Sequence, residues 1–326
     1  PYLVSQILIV LTVSLFIIYF FKNEKLFPYL LLSLILGLFV VFKNPELEAL
    51  FINSIKNTSG NSLENPIKQN LNLSWLGFSY IAFRLIHTIR DFQNRRYSPT
   101  DLKTFFNYVL YLPAITAGPI ERIQNFEKEI IKKTEFFDDV LVGGKRLTLG
   151  LVKKFVIADF FFLFSMNKDN IFLVNSKEWL WVLLFSYAWM IYFDFSGYTD
   201  VALGLSALLG INLPENFNRP YFSENLTSFW NRWHISLTQW IRAYFYFPLT
   251  RFLKSHSLFK SEFLINSFTQ ICTMVLIGLW HGITLNFFIW GLWHGFGLVI
   301  HSLWKNWMKK LSFSNVNAGY LKNALT

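Results

Sequence analysis

Apolar runs about as long as a bilayer is thick dominate this chain, and they leave few folds open to it. About 20 apolar residues cross a hydrocarbon core, and Tyr2–Phe21, Phe263–Trp280 and Ile283–Trp304 approach or reach that length. Leu26–Val41 is a further candidate span, Trp75–Ile89, Leu147–Phe164, Trp179–Phe195 and Val201–Leu209 are other apolar pieces, and Phe105–Ile115 is too short to span alone. Phe105–Ile115 ends in Thr116-Ala117-Gly118-Pro119, a stop that predicts a helix broken within or near the membrane. Backbone leaves the helix at membrane depth only against protein or a wet cavity. The expected fold is all-α and polytopic, with about eight to ten helical pieces, several of them broken, around an interior pathway.

Composition agrees. The 326 residues are 53% hydrophobic and 15% charged, with 37 Phe and 12 Trp, where soluble domains carry about 25% charge. Such an excess of aromatics suits lipid-facing walls and interfacial belts. The net charge of +10 does not point to nucleic acid, because the basic residues fall in segments between apolar runs. Eight Lys or Arg lie between Arg122 and Lys154, and Arg251, Lys254 and Lys260 form a second cluster. Both fit the basic bias of cytoplasmic loops. The single cysteine, Cys272, excludes an intrachain disulfide. No cleavable signal peptide is evident, since Tyr2–Phe21 is long enough to span and lacks a small-residue cleavage site. A start at Pro1 is expected of a fragment. Asn53–Asn72 and Asn212–Arg219 read as polar loops, and 312–326 as a polar tail.

Ionisable groups inside apolar spans mark functional sites by default, because desolvating them is costly. His234, in Phe-Trp-Asn-Arg-Trp-His, and His281, in Gly-Leu-Trp-His-Gly, are the leading candidates. Placed on one helix, Asn225–Phe247 divides into an apolar face (Leu226, Phe229, Trp230, Trp233, Leu237, Trp240, Ile241, Tyr244) and a polar stripe of Asn231, His234, Thr238 and Arg242. A two-faced helix of this kind lies along an interface or borders a polar cavity. Arg232 projects sideways from the stripe and could meet a phosphate or carboxylate, that of a lipid included.

Gly-Leu-Trp-His-Gly recurs at 291–295, so the motif alone does not separate His281 from His294. On one continuous helix a step of 13 residues would turn His294 by about 220° from His281, so the two could not share a cavity. His301 shares a face with His294, but no acidic or cysteine ligand accompanies them at zinc spacing, and no metal site is expected. Asp194 and Asp200 bracket Ser196-Gly197-Tyr198; the leading expectation is helix capping, with pairing to a base as the other. Arg84, His87 and Asp91 lie around one helix face and read as an internal charge pair. No nucleophile elbow, P-loop or dinucleotide fingerprint is present.

Six strings in order resemble the membrane-bound O-acyltransferase family, nearest to its bacterial branch of alginate O-acetyltransferases and teichoic acid D-alanyl transferases. They are Tyr-Leu-Pro-Ala-Ile-Thr-Ala-Gly-Pro-Ile-Glu-Arg (111–122), Gly-Leu-Val-Lys-Lys-Phe-Val-Ile-Ala-Asp (150–159) and Phe-Asp-Phe-Ser-Gly-Tyr-Thr-Asp (193–200). Leu-Pro-Glu-Asn-Phe-Asn-Arg-Pro-Tyr (213–221), Phe-Trp-Asn-Arg-Trp-His-Ile-Ser-Leu (229–237) and Gly-Leu-Trp-His-Gly (278–282) complete them. The likeness extends to roughly 74–305 within a single membrane-embedded domain spanning 1–326. It implies a helical fold around a central tunnel with His281 at its centre and His234 as a second polar residue facing the tunnel. The further spans expected after Trp304 are missing, which fits a truncated segment or a short member.

What the resemblance implies is a multi-pass acyltransferase of the bacterial inner or plasma membrane. It would move an acyl group, acetyl in the first instance, from a thioester to a hydroxyl of a cell-envelope or extracellular polysaccharide, or of a carrier for it. The donor would be acyl-CoA or an acyl-carrier protein, and no tightly bound cofactor or metal is needed. His281 would act as general base. His234 and Asn231 would orient a substrate or stabilise charge on the thioester oxygen, and Arg232, Thr238, Trp233 and Trp280 would line the substrate site. The bilayer and a periplasmic or extracellular acyl-transfer protein are the expected partners. The alternative is a proton-coupled transporter or flippase with a histidine relay, although no inverted repeat of the broken segments is found.

Overall fold

The computed structural model describes residues 27–44, 46–50, 77–96, 101–132, 136–174, 176–259 and 261–314. The first expected span, Tyr2–Phe21, the loop Asn53–Asn72, Lys260 and tail residues 315–326 lie outside the described residues. Every element assigned to the described residues is helical. Three helices among them are long and apolar enough to cross a membrane: Lys177–Leu208, Glu262–His281 and Leu285–Met308. The chain forms two compact units, one containing residues 77–216 and the other residues 29–50 and 217–314.

In the first unit the helices are α2 (Phe78–Gln93), α3 (Leu102–Val109), α4 (Ile123–Ile131), α5 (Phe136–Val152), α6 (Ala158–Leu163), α7 (Lys168–Leu173) and α8 (Lys177–Leu208); α1 (Phe27–Lys43) belongs almost wholly to the second. Its centre is the pairing of α5 with α8. Glycines make that pairing close: a Cβ on Gly150 would lie 2.8 Å from the Gly197 carbonyl oxygen, and one on Gly143 would lie 2.9 Å from that of Gly204. Both glycine pairs are seven residues apart on their own helix, so one antiparallel register brings both into contact.

Two expectations change here. Trp179–Phe195 and Val201–Leu209 are not separate pieces, because α8 runs unbroken through Phe-Ser-Gly-Tyr-Thr-Asp. Asp194 and Asp200 therefore do not cap helices. Asp200, 4% exposed, accepts from Arg146 Nε at 2.7 Å and Lys153 Nζ at 2.5 Å, while Lys154 pairs with Asp194. A π turn at Lys153–Ile157 joins α5 to α6. Consecutive residues point about 100° apart on an α-helix, and the wider turn lets both Lys153 and Lys154 reach α8.

Arg84, fully buried on α2, donates to the carbonyls of Val109 (3.1 Å) and Ala114 (2.8 Å). It thereby satisfies the backbone where the short helix α3 stops before Gly118-Pro119. His87 meets the Tyr108 hydroxyl at 2.7 Å, and Asp91 accepts from Gln124 at 2.9 Å. This face of α2 holds a broken segment in place.

The second unit contains α1 and then α9 (Leu226–Arg232), α10 (Ile235–Ile241), α11 (Phe247–Ser255), α12 (Glu262–His281) and α13 (Leu285–Ser314). The single two-faced helix expected over Asn225–Phe247 is in fact two helices and a π turn. α9 begins on Asn225, whose side chain accepts from Ser228 N at 2.8 Å, and ends at Trp233, which is extended. His234 then takes a left-handed conformation, φ 42 and ψ 57, before α10 starts. Trp233 stacks on Phe229 at 5.6 Å and meets Phe217 edge-on at 5.1 Å. Tertiary packing of that indole outweighs the helical preference of the surrounding residues. A π turn at Arg242–Tyr246 follows α10, directly ahead of Pro248 in α11. Proline removes one helical bond and crowds the carbonyl four residues back, and a π turn relieves both.

α12 and α13 form a tight hairpin. A Cβ on Gly278 would lie 2.2 Å from the Phe287 carbonyl oxygen, and one on Gly291 would lie 2.6 Å from that of Met274. Both are the first glycine of a Gly-Leu-Trp-His-Gly string. The repeated motif thus supplies the two close-contact points of one helix pair.

Candidate active site

His281 is the last residue of α12. The chain breaks over 282–284, so His294 does not continue the same helix but sits on α13. The condition under which the two histidines would diverge by about 220° is not met. The His281 ring is exposed. It is held by aromatic neighbours: Trp280 at 4.6 Å, Phe287 stacked at 5.7 Å and Trp290 edge-on at 5.6 Å. No side chain or carbonyl among the described residues hydrogen-bonds its ring nitrogens. A ring positioned by its faces keeps both nitrogens available to a reactant.

His234 also packs against Trp280, with ring centroids 6.0 Å apart. It is 4% exposed, and burial first, then the proximity of His281, pushes its pKa down to about 3. His234 is therefore a neutral imidazole at physiological pH. Its left-handed backbone is uncommon for a residue with a Cβ, and such conformations collect at functional sites. Lys43, at the end of α1, places Nζ 5.8 Å from the Trp280 ring, and its carbonyl accepts from Ile283 N at 3.1 Å. A cation thus stands beside the indole that both histidines contact.

The other expected residues are dispersed around this centre. Arg242 Nη2 donates to Asn231 Oδ1 at 2.6 Å, joining the two ends of the polar stripe across the break at His234. Thr238 donates to the Trp230 carbonyl at 3.4 Å. Trp233 belongs to the Phe217–Tyr221–Phe229 cluster, and Arg232 lines a separate pocket with Asn218, Arg219 and Phe222.

A cavity of about 480 Å³ opens among α9, α10, α12 and α13. Asn266, Gln270 and Thr273 contribute from α12, Ser302 and Asn306 from α13, and Thr238 and Arg242 from the former stripe. Glu262 and Ile277 both line it, so it follows α12 for about 22 Å at 1.5 Å per residue. Neither histidine lines it, yet Trp230 and Thr238, one turn either side of His234, and Ile277, one turn before His281, all do. Polar side chains turned inward between apolar helices indicate a wet path.

The sequence did not point to Trp290. It touches His281 and also His294, at 4.4 Å, and Trp230 then packs edge-on against both Trp290 (5.8 Å) and His294 (5.3 Å). The second histidine of the repeat thus supports the wall beside the first. His301 meets the Thr227 hydroxyl at 2.9 Å.

Residues 2–319 match MBOAT, the membrane-bound O-acyltransferase family, and the chain belongs to that family. It is 31% identical over 258 residues to a teichoic acid D-alanyltransferase of Streptococcus thermophilus, covering 76% of this chain and 61% of that protein. The corresponding figures are 32% over 249 residues, 73% and 61% for the teichoic acid D-alanyltransferase of Bacillus subtilis. A probable alginate O-acetylase, AlgI, of Pseudomonas putida is 34% identical over 229 residues, covering 69% of this chain and 45% of that protein. The matched region spans less than two thirds of the length of these relatives. The family is membrane-bound, in keeping with the three long apolar helices.

Proposed function

We propose that the full-length protein transfers an acyl group, acetyl in the first instance, from a thioester to a hydroxyl of a cell-envelope or extracellular polysaccharide, or of a carrier for it. The observation that carries this is the exposed His281 ring, free of hydrogen bonds to the described residues, one turn from a polar cavity and sharing the Trp280 indole with a neutral, buried His234. The family and the names of the relatives support the same chemistry.

In this scheme the acceptor hydroxyl gives its proton to His281 as its oxygen attacks the thioester carbon. The C–S bond then breaks, and the leaving thiolate takes the proton back from the imidazolium. His234, neutral and turned inward, donates a hydrogen bond to the developing oxyanion or orients a substrate with Asn231. The cavity admits the thioester, from acyl-CoA or a carrier protein, while limiting the water that would hydrolyse it. The proposed setting is the bacterial inner or plasma membrane, crossed several times, with a periplasmic or extracellular acyl-transfer protein as partner.

The test is transfer of radiolabelled acetyl from acetyl-CoA, or from an acetylated carrier protein, in membranes holding the full-length protein at matched abundance. His281→Ala should lower transfer by about 10²–10⁴-fold, and His294→Ala by less than about tenfold. Equal transfer in wild type and His281→Ala would remove the base from the scheme. Proton-coupled flux of an unmodified solute, with no acylated product from either donor, would favour a transporter instead.

A further inference from the structure

The pocket that contains Arg232 has a composition of its own. It is lined by Asn218, Arg219, Phe222 and Arg232, so two arginines share it with no acidic residue in its wall. The chain brings them together by two cross-links. Asn218 N donates to the Arg232 carbonyl at 3.0 Å, tying the loop to the end of α9, and Arg232 Nη1 donates to the Phe222 carbonyl at 3.3 Å. Arg219 takes a left-handed backbone, φ 45 and ψ 57, immediately before Pro220. That conformation is uncommon for a residue with a Cβ, and a following proline favours extended backbone instead. Strain of this kind persists where the surrounding structure holds a residue to a task.

Neither arginine forms an ion pair among the described residues. Elsewhere Arg146, Lys153, Lys154 and Lys254 each face a carboxylate, and Arg84 and Arg242 face a carbonyl and an amide. Two like charges held in one pocket repel each other unless an anion sits between them. Guanidinium groups match phosphate in geometry, since each presents a planar fork of donors to two oxygens. Phe222, 75% exposed at the pocket rim, gives the apolar remainder of an amphiphilic ligand a surface to lie on.

We infer that Arg219 and Arg232 form a binding site for a phosphate ester. The same chemistry is offered by an anionic phospholipid headgroup and by the phosphopantetheine arm of a thioester donor. The site does not depend on the acyl-transfer reading, because its evidence is the pocket alone.

The test measures thermal stabilisation of the purified full-length protein in dodecyl maltoside by two matched pairs of probes. These are 4′-phosphopantetheine against pantetheine, and phosphatidylglycerol against diacylglycerol with the same chains. In the wild type the phosphorylated member of at least one pair should stabilise, and its partner without phosphate should not. The responding pair identifies the source. R219Q/R232Q should lose the response, with apparent affinity lower by about tenfold or more, and R219K/R232K should keep part of it. The single variant R219Q, altering an exposed side chain, serves if the double variant does not fold, and added NaCl should weaken the wild-type response. Absence of a response to both phosphorylated probes, or a wild-type response in the glutamine variants, would overturn the inference. The readout is binding, so a failure of acetyl transfer leaves it standing.

Discussion

At the scale of single residues, the proposed site is an imidazole held among aromatic side chains. Trp290 touches His281 and is itself wedged by His294 and Trp230, so its loss should let the His281 ring rotate. Small displacements of a reacting group cost about 10²-fold in rate. Trp290→Ala should therefore lower kcat for acetyl transfer by about 10- to 100-fold with KM little changed, and Trp290→Phe should recover most of it; a purely structural role would change both constants or the abundance of protein. His234 makes a separate prediction through its pKa of about 3. An unfolded histidine titrates near 6.5, so between the two values the unfolded state binds the extra proton. The stability associated with neutral His234 is full above about pH 6.5 and falls as the pH drops towards 3. At pH 5 the loss is about 2 kcal/mol. The thermal midpoint of the purified protein should fall less steeply between pH 7 and 5 in His234→Gln than in the wild type, and parallel curves would contradict the neutral buried state.

At the scale of elements, glycines and proline decide where helices touch and where they bend. Gly278→Val would drive a side chain into the Phe287 carbonyl across the α12–α13 hairpin. Since backbone cannot yield as a side chain can, the cost should lie at the upper end of the about 1–3 kcal/mol typical of overpacking. Gly144 on α5 has nothing within 4 Å of the position a Cβ would take, so Gly144→Ala is the control. It should gain about 0.5–1 kcal/mol from reduced backbone freedom in the unfolded chain. Fluorescence-detected thermal melts in detergent compare the two, and equal midpoints would refute the close contact. The long spans α12 and α13 were legible because apolar length is a local property. The continuity of α8 was not, because the partners of Asp194 and Asp200 lie 40 to 54 residues earlier in the chain. The apolar setting of His234 and His281 singled them out, whereas Trp290 reaches His281 across a helix break that no periodic pattern records. Pro248 was a readable sign that the helix through Arg242 could not stay regular.

At the scale of the whole molecule, the distribution of polarity runs opposite to that of a soluble protein. Large apolar side chains are exposed along the long helices, including Leu180, Trp181 and Phe185 on α8, Leu264 and Phe268 on α12, and Trp293 and Ile300 on α13. In a bilayer these meet lipid, which solvates them without the penalty that water would impose. Polar side chains of α12 and α13 turn instead towards the cavity, so α12 presents Phe268 outward and Gln270 inward within two residues. That contrast can be measured with the chain's own chemistry. Cys272 is the single cysteine, and a Cys272→Ser background leaves none. In permeabilised membranes of the full-length protein, Gln270→Cys should react with a small charged methanethiosulfonate, because thiolate forms readily only where water reaches the sulfur. Phe268→Cys should react at least about tenfold more slowly, since hydrocarbon disfavours both the thiolate and the charged reagent. Phosphatidylglycerol or acetyl-CoA present during labelling should protect Gln270→Cys only if it enters the cavity, and protection by acetyl-CoA alone would identify this cavity as the donor path. Equal labelling of the two cysteines would mean that α12 has no dry outer face, and the assignment of Glu262–His281 as a membrane-crossing helix would fail with it.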